Sequence, residues 1–203
     1  NITDTVQIMC GDIQHKAQDE ADAVLVQRLC ELSGPVIDWL CVRHNLNLTL
    51  VEGFLYPGHS ALRMHAPPSR SGADLMADLG RAVAAADITV MTQAHVTDLY
   101  ALPDGCICGV QIARPDGAAE YIGCDALILA CNGFGGNPAM VQAHIPDMGS
   151  ALYFGHQGNQ GDAINWGQAL GAATRHLGAY QGHGSVAEPH GILISWALMM
   201  QGG

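Results

Sequence analysis

An apolar run, Asp125-Ala-Leu-Ile-Leu-Ala-Cys131, leads straight into Asn132-Gly-Phe-Gly-Gly-Asn137, and Gly158-Asn-Gln-Gly-Asp162 follows ahead of a helical pattern. Small residues at the end of a strand leave no Cβ in the way of an approaching molecule. Glycine also accepts the positive φ that lets backbone N–H groups face it. The chemistry of such a seam is recognition of a bound group through the main chain, with Ala130, Asn132 and Gly133 at its edge. Asp162 stands directly before Ala163-Ile-Asn-Trp-Gly-Gln-Ala-Leu170. Its plain role is helix N-cap, accepting from orphaned N–H groups at a value of about 1 kcal/mol.

Two other groupings carry reactive side chains. His59, Arg63, His65 and Arg70 form the one basic cluster, in a proline-bearing loop over 56–71; it suits phosphate or carboxylate, and equally a solvated loop. Cys106-x-Cys108 lies in an alternating strand pattern, where residues two apart share a face. No C-x-x-C and no neighbouring histidine completes a metal site, so both are expected to be small buried hydrophobes and no metal is expected. The seven cysteines are odd in number and scattered, unlike a disulfide scaffold. A reducing, cytoplasmic compartment fits them.

The elements that position these groups follow from periodicity. Val24, Leu25, Leu29 and Leu32 share one helical face, and Ser33-Gly-Pro35 is expected to restart a second helix carrying Val36, Ile37, Trp39 and Leu40. Leu46, Leu48 and Leu50 then alternate as a strand does. Ser71-x-x-Asp74 is a capping-box pattern, placing a helix over about 72–86, with a strand at 88–91 after it. Strands over 96–102, 106–113 and 118–122 are separated by Pro103-Asp-Gly105 and Pro115-Asp-Gly117. In each, proline presets φ, Asp bonds its own backbone and Gly takes the left-handed position, which makes an antiparallel meander. The run from Asp125 to Cys131 is apolar on both faces, as in a strand buried between layers. The fold class is α/β.

Composition limits the partners. Nineteen acidic residues against eight basic ones give a formal charge of −11, which argues against nucleic acid or an anionic membrane surface. The chain is apolar for its class, with 49% hydrophobic and 13% charged residues. Its longest apolar run, Ile192 to Met200, is too short to span a bilayer.

The residues Ala130-Cys-Asn-Gly-Phe134, Gly161-Asp-Ala163 and Gln181-Gly-His183 resemble the flavoprotein family of fumarate reductase and succinate dehydrogenase, with its ketosteroid- and tricarballylate-dehydrogenase-like relatives. In that family a strand ends Ala-Thr-Gly-Gly-Phe, a Gly-Asp-Gly opens a helix, and Gln-x-His follows about two dozen residues on. Here Cys131-Asn132 replaces Thr-Gly, and Ala163 replaces the last Gly. The resemblance implies FAD as cofactor, bound by Val96, Ala130, Asn132, Gly133 and Asp162, with Asp162 reaching sugar-alcohol hydroxyls. It implies His183 as the catalytic residue, binding a substrate carboxylate or carbonyl and stabilising charge as hydride moves.

The family's strand–GxGxxG–helix unit is missing from these residues. The expected organisation is therefore an internal piece of a longer flavoenzyme: a partial FAD-binding domain over 1–180, with its meander at 96–122, and the start of a substrate-capping domain over 181–203. The implied function is hydride transfer between flavin and a carbon–carbon bond next to a carboxylate or ketone, with a small-molecule substrate and an electron-transfer partner. Ser195-Trp196 stands where fumarate-reducing members carry Thr-Glu, which argues for a different substrate. The rival reading is a non-catalytic α/β binding or interaction module. An uncovered apolar run from Ile192 to Met200 is expected to favour self-association.

Overall fold

A computed structural model describes residues 3–182, 186–187 and 192–193. The chain divides into two units, Asn1–Val90 and Met91–Gly203.

In the first unit, helix α1 (Val6–Lys16) is capped by Thr5, whose hydroxyl accepts from the Ile8 amide at 3.2 Å. Helix α2 (Ala23–His44) is capped by Asp22, which accepts from the amides of Val24 and Leu25, and ends at Asn45 in the left-handed region. The expected break at Ser33-Gly-Pro35 does not occur: α2 runs through Pro35. Proline inside a helix costs about 3 kcal/mol. The helix stays continuous across it, with the Ser33 hydroxyl donating to the Cys30 carbonyl at 3.1 Å and the Met9 sulfur of α1 at 3.7 Å. The expected inner face is also corrected. Val26 and Cys30 turn inward, whereas Val24, Leu25, Leu29 and Leu32 are exposed, because α1 packs on the stripe beside the one that periodicity favoured.

Strand β1 (Thr49–Leu50) pairs antiparallel with β2 (His65–Ala66), far shorter than the alternation of leucines suggested. Helix α3 (Gly72–Ala85) falls where the capping pattern placed it. Its cap is one-sided: Ser71 accepts from the Ala73 amide, while Asp74 accepts from the Ser69 hydroxyl instead of reaching back to Ser71.

The second unit holds the meander β3 (His95–Ala101), β4 (Ile107–Ala113) and β5 (Ala119–Gly123), in the order β3-β4-β5. Both Pro-Asp-Gly turns close alike. The Gly105 amide donates to the Leu102 carbonyl and the Gly117 amide to the Arg114 carbonyl, each at 2.9 Å, with both glycines at φ +86°. Asp104 and Asp116 accept from the amides two residues on. Val110 and Ile112 on the central strand are its buried centre, and Arg114 grips Glu120 through two hydrogen bonds of 2.8 and 2.9 Å.

Gly109 faces Gly123 across the ladder, and a Cβ on Gly109 would lie 2.8 Å from the Ile122 carbonyl oxygen. Backbone cannot step aside as a side chain can. Gly109→Ala is therefore expected to lower the stability of the unit by about 1–3 kcal/mol, measured as a drop in the denaturation midpoint with unchanged m-value.

Two expected strands are absent. Residues 88–91 and 125–131 have no ladder partner among the described residues, and Ile88, Val90 and Ile128 are exposed, the last at 90%. A strand is defined by its neighbour, and unpaired backbone groups stay with water. The unit continues with helix α4 (Pro138–His144), a single 3₁₀ turn at Pro146–Met148, helix α5 (Asp162–Ala169), and the short pair β6 (Val186–Ala187) and β7 (Ile192–Leu193).

Candidate functional site: a cross-tied glycine seam

The seam is built by two loops, 131–137 and 156–162, tied by their own main chains. The Gly161 amide donates to the Gly133 carbonyl at 3.1 Å, and the Gly136 amide donates to the Asn159 carbonyl at 2.9 Å. Asn137 works in both directions. Its Oδ1 accepts from the Met140 amide and so caps α4, while its Nδ2 donates to the Gln160 carbonyl at 3.0 Å. Gln160 returns the tie, its Nε2 donating to the Gly136 carbonyl at 2.8 Å. Phe134 lies beneath, 8% exposed, edge-on to His144 with ring centres 5.5 Å apart.

Gly161 is buried at φ +86°, and a Cβ there would lie 2.5 Å from the Met140 sulfur and 3.0 Å from Cβ of Phe134. Glycine is thus required twice, by backbone angle and by space. Gly133 is the opposite case: a Cβ there would meet nothing within 4 Å. Its carbonyl is held while its α-carbon faces open room. Asn132 beside it takes the left-handed conformation at φ +65° and is exposed.

Asp162 is not the helix cap. Gly161 holds that position with no side-chain hydrogen bond, and Asp162 is the first residue of α5. The left-handed Gly161 turns the chain into the helix, which leaves the Asp162 carboxylate without a hydrogen-bond partner among the described residues. The amides of Asp162 and Ala163 likewise have no acceptor there, since the first-turn bonds to the Gly161 carbonyl begin with Ile164 and Asn165. A carboxylate beside two open N–H groups can accept from hydroxyls while the helix end attracts anionic oxygen.

The Gly161–Gly133 bond brings Asn132, Gly133 and Asp162 to one ledge. Ala130 is exposed on the strand-like segment leading in. Val96 lies in β3 opposite Ile112, and no hydrogen bond joins it to the two loops. His183 lies outside the described residues, as does Ser195-Trp196 and most of the run from Ile192 to Met200. Asn137 and Gln160 were missed from sequence; an Asn-Pro at the mouth of a short apolar helix was the cap signal for the first.

Within the basic cluster, Arg63 is taken up by two carboxylates of its own unit. Arg63, whose side chain is 10% exposed, bonds Asp4 through Nε and Nη2 at 2.7 and 2.8 Å and Asp12 through Nη1 at 2.6 Å. Cys106 and Cys108 are exposed rather than buried, because the meander leaves that face uncovered. Among the described residues no group of His, Cys, Asp and Glu is arranged to hold a metal, and no helix is long and apolar enough to cross a membrane.

A glycine seam opening a helix can receive a nucleotide cofactor, and comparison with known proteins agrees. Residues 2–203 match the family described as FAD binding domain; the chain belongs to that family, among the flavoproteins of the fumarate reductase and succinate dehydrogenase type. The NADH:fumarate oxidoreductase of Klebsiella pneumoniae (strain 342) is 25% identical over 199 residues, 97% of this chain and 21% of the relative. The open conformation of a flavocytochrome c3 fumarate reductase shares the fold with a TM-score of 0.85 at 24% identity, covering 95% of this chain and 34% of that one. A 3-ketosteroid-Δ4-(5α)-dehydrogenase from Rhodococcus jostii RHA1, in complex with 4-androstene-3,17-dione, shares it at 0.76 and 18% identity, covering 88% and 43%. The chain thus spans about a fifth of the length of that curated relative. FAD is the cofactor of the family, and the open room at Gly133, the unpartnered Asp162 carboxylate and the free amides of α5 fit it.

Proposed function

We propose that this chain supplies the hydroxyl- and ring-side ledge for FAD in an oxidoreductase that moves hydride between flavin and a carbon–carbon bond next to a carboxylate or ketone. The observation that carries this reading is the Gly161–Gly133 bond, which sets Asn132, Gly133 and Asp162 side by side within a matched FAD binding domain. When bound, FAD supplies the hydride chemistry, and the protein supplies position and charge. Asp162 accepts from cofactor hydroxyls, Asn132 and Gly133 offer main chain without obstruction, and Val96 and Ala130 are assigned backbone contacts. His183 is assigned the substrate side, where an imidazole holds a carboxylate or carbonyl oxygen.

The relatives, an NADH:fumarate oxidoreductase and a 3-ketosteroid dehydrogenase among them, support an activated carbon–carbon bond as substrate class. The family resemblance of Ser195-Trp196 argues for a compound other than fumarate. A soluble or protein-bound electron-transfer partner belongs to the same reading. So does a cytoplasmic setting, supported by seven free cysteines.

Asp162→Ala in the full-length protein tests the ledge. Because Asp162 is not the cap, the fold is expected to persist while FAD affinity falls about tenfold, the worth of one lost charge-assisted hydrogen bond. Calorimetry with FAD reads this directly. A full-length protein that is colourless and indifferent to FAD would instead favour a non-catalytic module.

A further inference from the structure

The loop over 156–162 opens on a histidine whose ring is held by the seam's own bonds. The Gly158 amide donates to His156 Nδ1 at 2.9 Å. A Cβ on Gly158 would lie 2.8 Å from that nitrogen and 3.0 Å from Cε1, so the ring folds back over the chain only because residue 158 is glycine. The His156 carbonyl is held as well, accepting from the Asn159 amide at 3.0 Å and from the Tyr153 hydroxyl at 3.3 Å. Tyr153 accepts in turn from Asn159 Nδ2 at 2.6 Å. Its half-buried ring fills the space that Gly135 and Gly155 leave, since a Cβ on either would overlap it. Asn159 closes the circuit through its carbonyl, which takes the Gly136 amide of the facing loop at 2.9 Å.

This circuit decides which ring nitrogen carries the proton. An Nδ1 that accepts from an amide has no hydrogen of its own, so the neutral imidazole is protonated at Nε2. The residue is exposed, and its Nε2 has no hydrogen-bond partner among the described residues. Other described histidines are spent differently: His44, His59 and His144 lie against aromatic rings. We propose that His156 is a further cofactor-binding residue, donating through Nε2–H to an acceptor atom of FAD, either a carbonyl oxygen of the flavin ring or a phosphate oxygen. The proposal rests on the reading of the seam as the FAD ledge and adds what that ledge lacks. The Asp162 carboxylate only accepts, and Gly133 offers main chain and room; His156 is the side-chain donor. Gly158 is then a positioning residue, acting through the ring it makes room for.

Calorimetric titration of the full-length protein with FAD tests the donor. His156→Ala is expected to weaken binding about fivefold, the worth of one hydrogen bond, with an unchanged melting temperature because the side chain is exposed. His156→Gln, whose amide reaches as far as Nε2, is expected to recover most of the affinity; His156→Asn, which reaches only as far as Nδ1, is not. Gly158→Ala displaces the ring and is expected to match His156→Ala, yet to cost nothing further in the His156→Ala background. Imidazole ¹⁵N shifts are expected to show the proton on Nε2. The visible band of the bound flavin tells the two acceptors apart, displaced in His156→Ala for a ring carbonyl and unmoved for a phosphate. A proton on Nδ1 would overturn the proposal, as would a Gly158→Ala loss that persists without the imidazole. A wild type that ignores FAD removes the ledge reading as well. A wild type that binds FAD, with Asp162→Ala weakened and both His156→Ala and Gly158→Ala unchanged, overturns this proposal alone.

Discussion

Gly161→Ala is expected to be the most damaging small substitution in the seam, lowering stability by about 3 kcal/mol and removing measurable FAD binding. Alanine at φ +86° costs roughly 1–2 kcal/mol in backbone strain. Its Cβ would also press on the Met140 sulfur and on Phe134; crowding a packed position adds about 1–3 kcal/mol. Met140 can swing away, so the lasting conflict is with Phe134, which is buried and braced by His144. Moving Phe134 disturbs Gly133 and with it the 3.1 Å bond that joins the loops. Denaturant unfolding and FAD titration on the same sample separate the two effects. Gly133→Ala is the control, since its Cβ meets no protein atom: stability holds, and only cofactor affinity falls. Equal stability loss in both variants would contradict this account.

Arg63→Ala is expected to cost the N-terminal unit about 2–3 kcal/mol, because it strips the shared partner from Asp4 and Asp12. The residue ties the N-terminal segment, α1 and the loop before β2 into one network. Its pH signature has a definite sign. The Ser60 hydroxyl and amide, with Arg63, hold the Asp12 carboxyl at about 2, and Arg63 likewise lowers Asp4. A carboxylate depressed on folding contributes stability above its ordinary value near 3.8 and loses it as pH falls toward 2. Melting temperature is therefore expected to drop between about pH 4 and pH 2. Asp12→Asn is expected to flatten that acid limb, since the carboxylate held down by Ser60 and Arg63 is then gone. A wild-type melting temperature that stays flat from pH 4 to pH 2 would refute the assignment.

Local signals proved readable and distant ones did not. Ser71 starts α3, and the two Pro-Asp-Gly turns set the meander, because each is decided within four residues. The inward face of α2 depends on where α1 lies, which no periodicity within α2 contains. Residues 88–91 and 125–131 read as strands by composition, yet composition does not provide a ladder partner. In the site, Asn132, Gly133 and Asp162 were visible through their glycine-rich context. Asn137 and Gln160 were not, since their importance lies in hydrogen bonds to residues more than twenty positions away. The Asp162 cap was misplaced by one residue because the left-handed glycine before it, not a carboxylate, turns the chain.

The twin reversals at Gly105 and Gly117 also set a timetable. Each hairpin closes over a handful of residues, so the meander is expected to form within about 1–10 μs of collapse. The seam must wait for residues 133 and 161 to find each other across a long loop, a slower search. A newly synthesised chain therefore owns a finished three-stranded platform well before it owns a ledge. Cofactor supplied late in refolding is expected to be taken up as readily as cofactor present from the first moment.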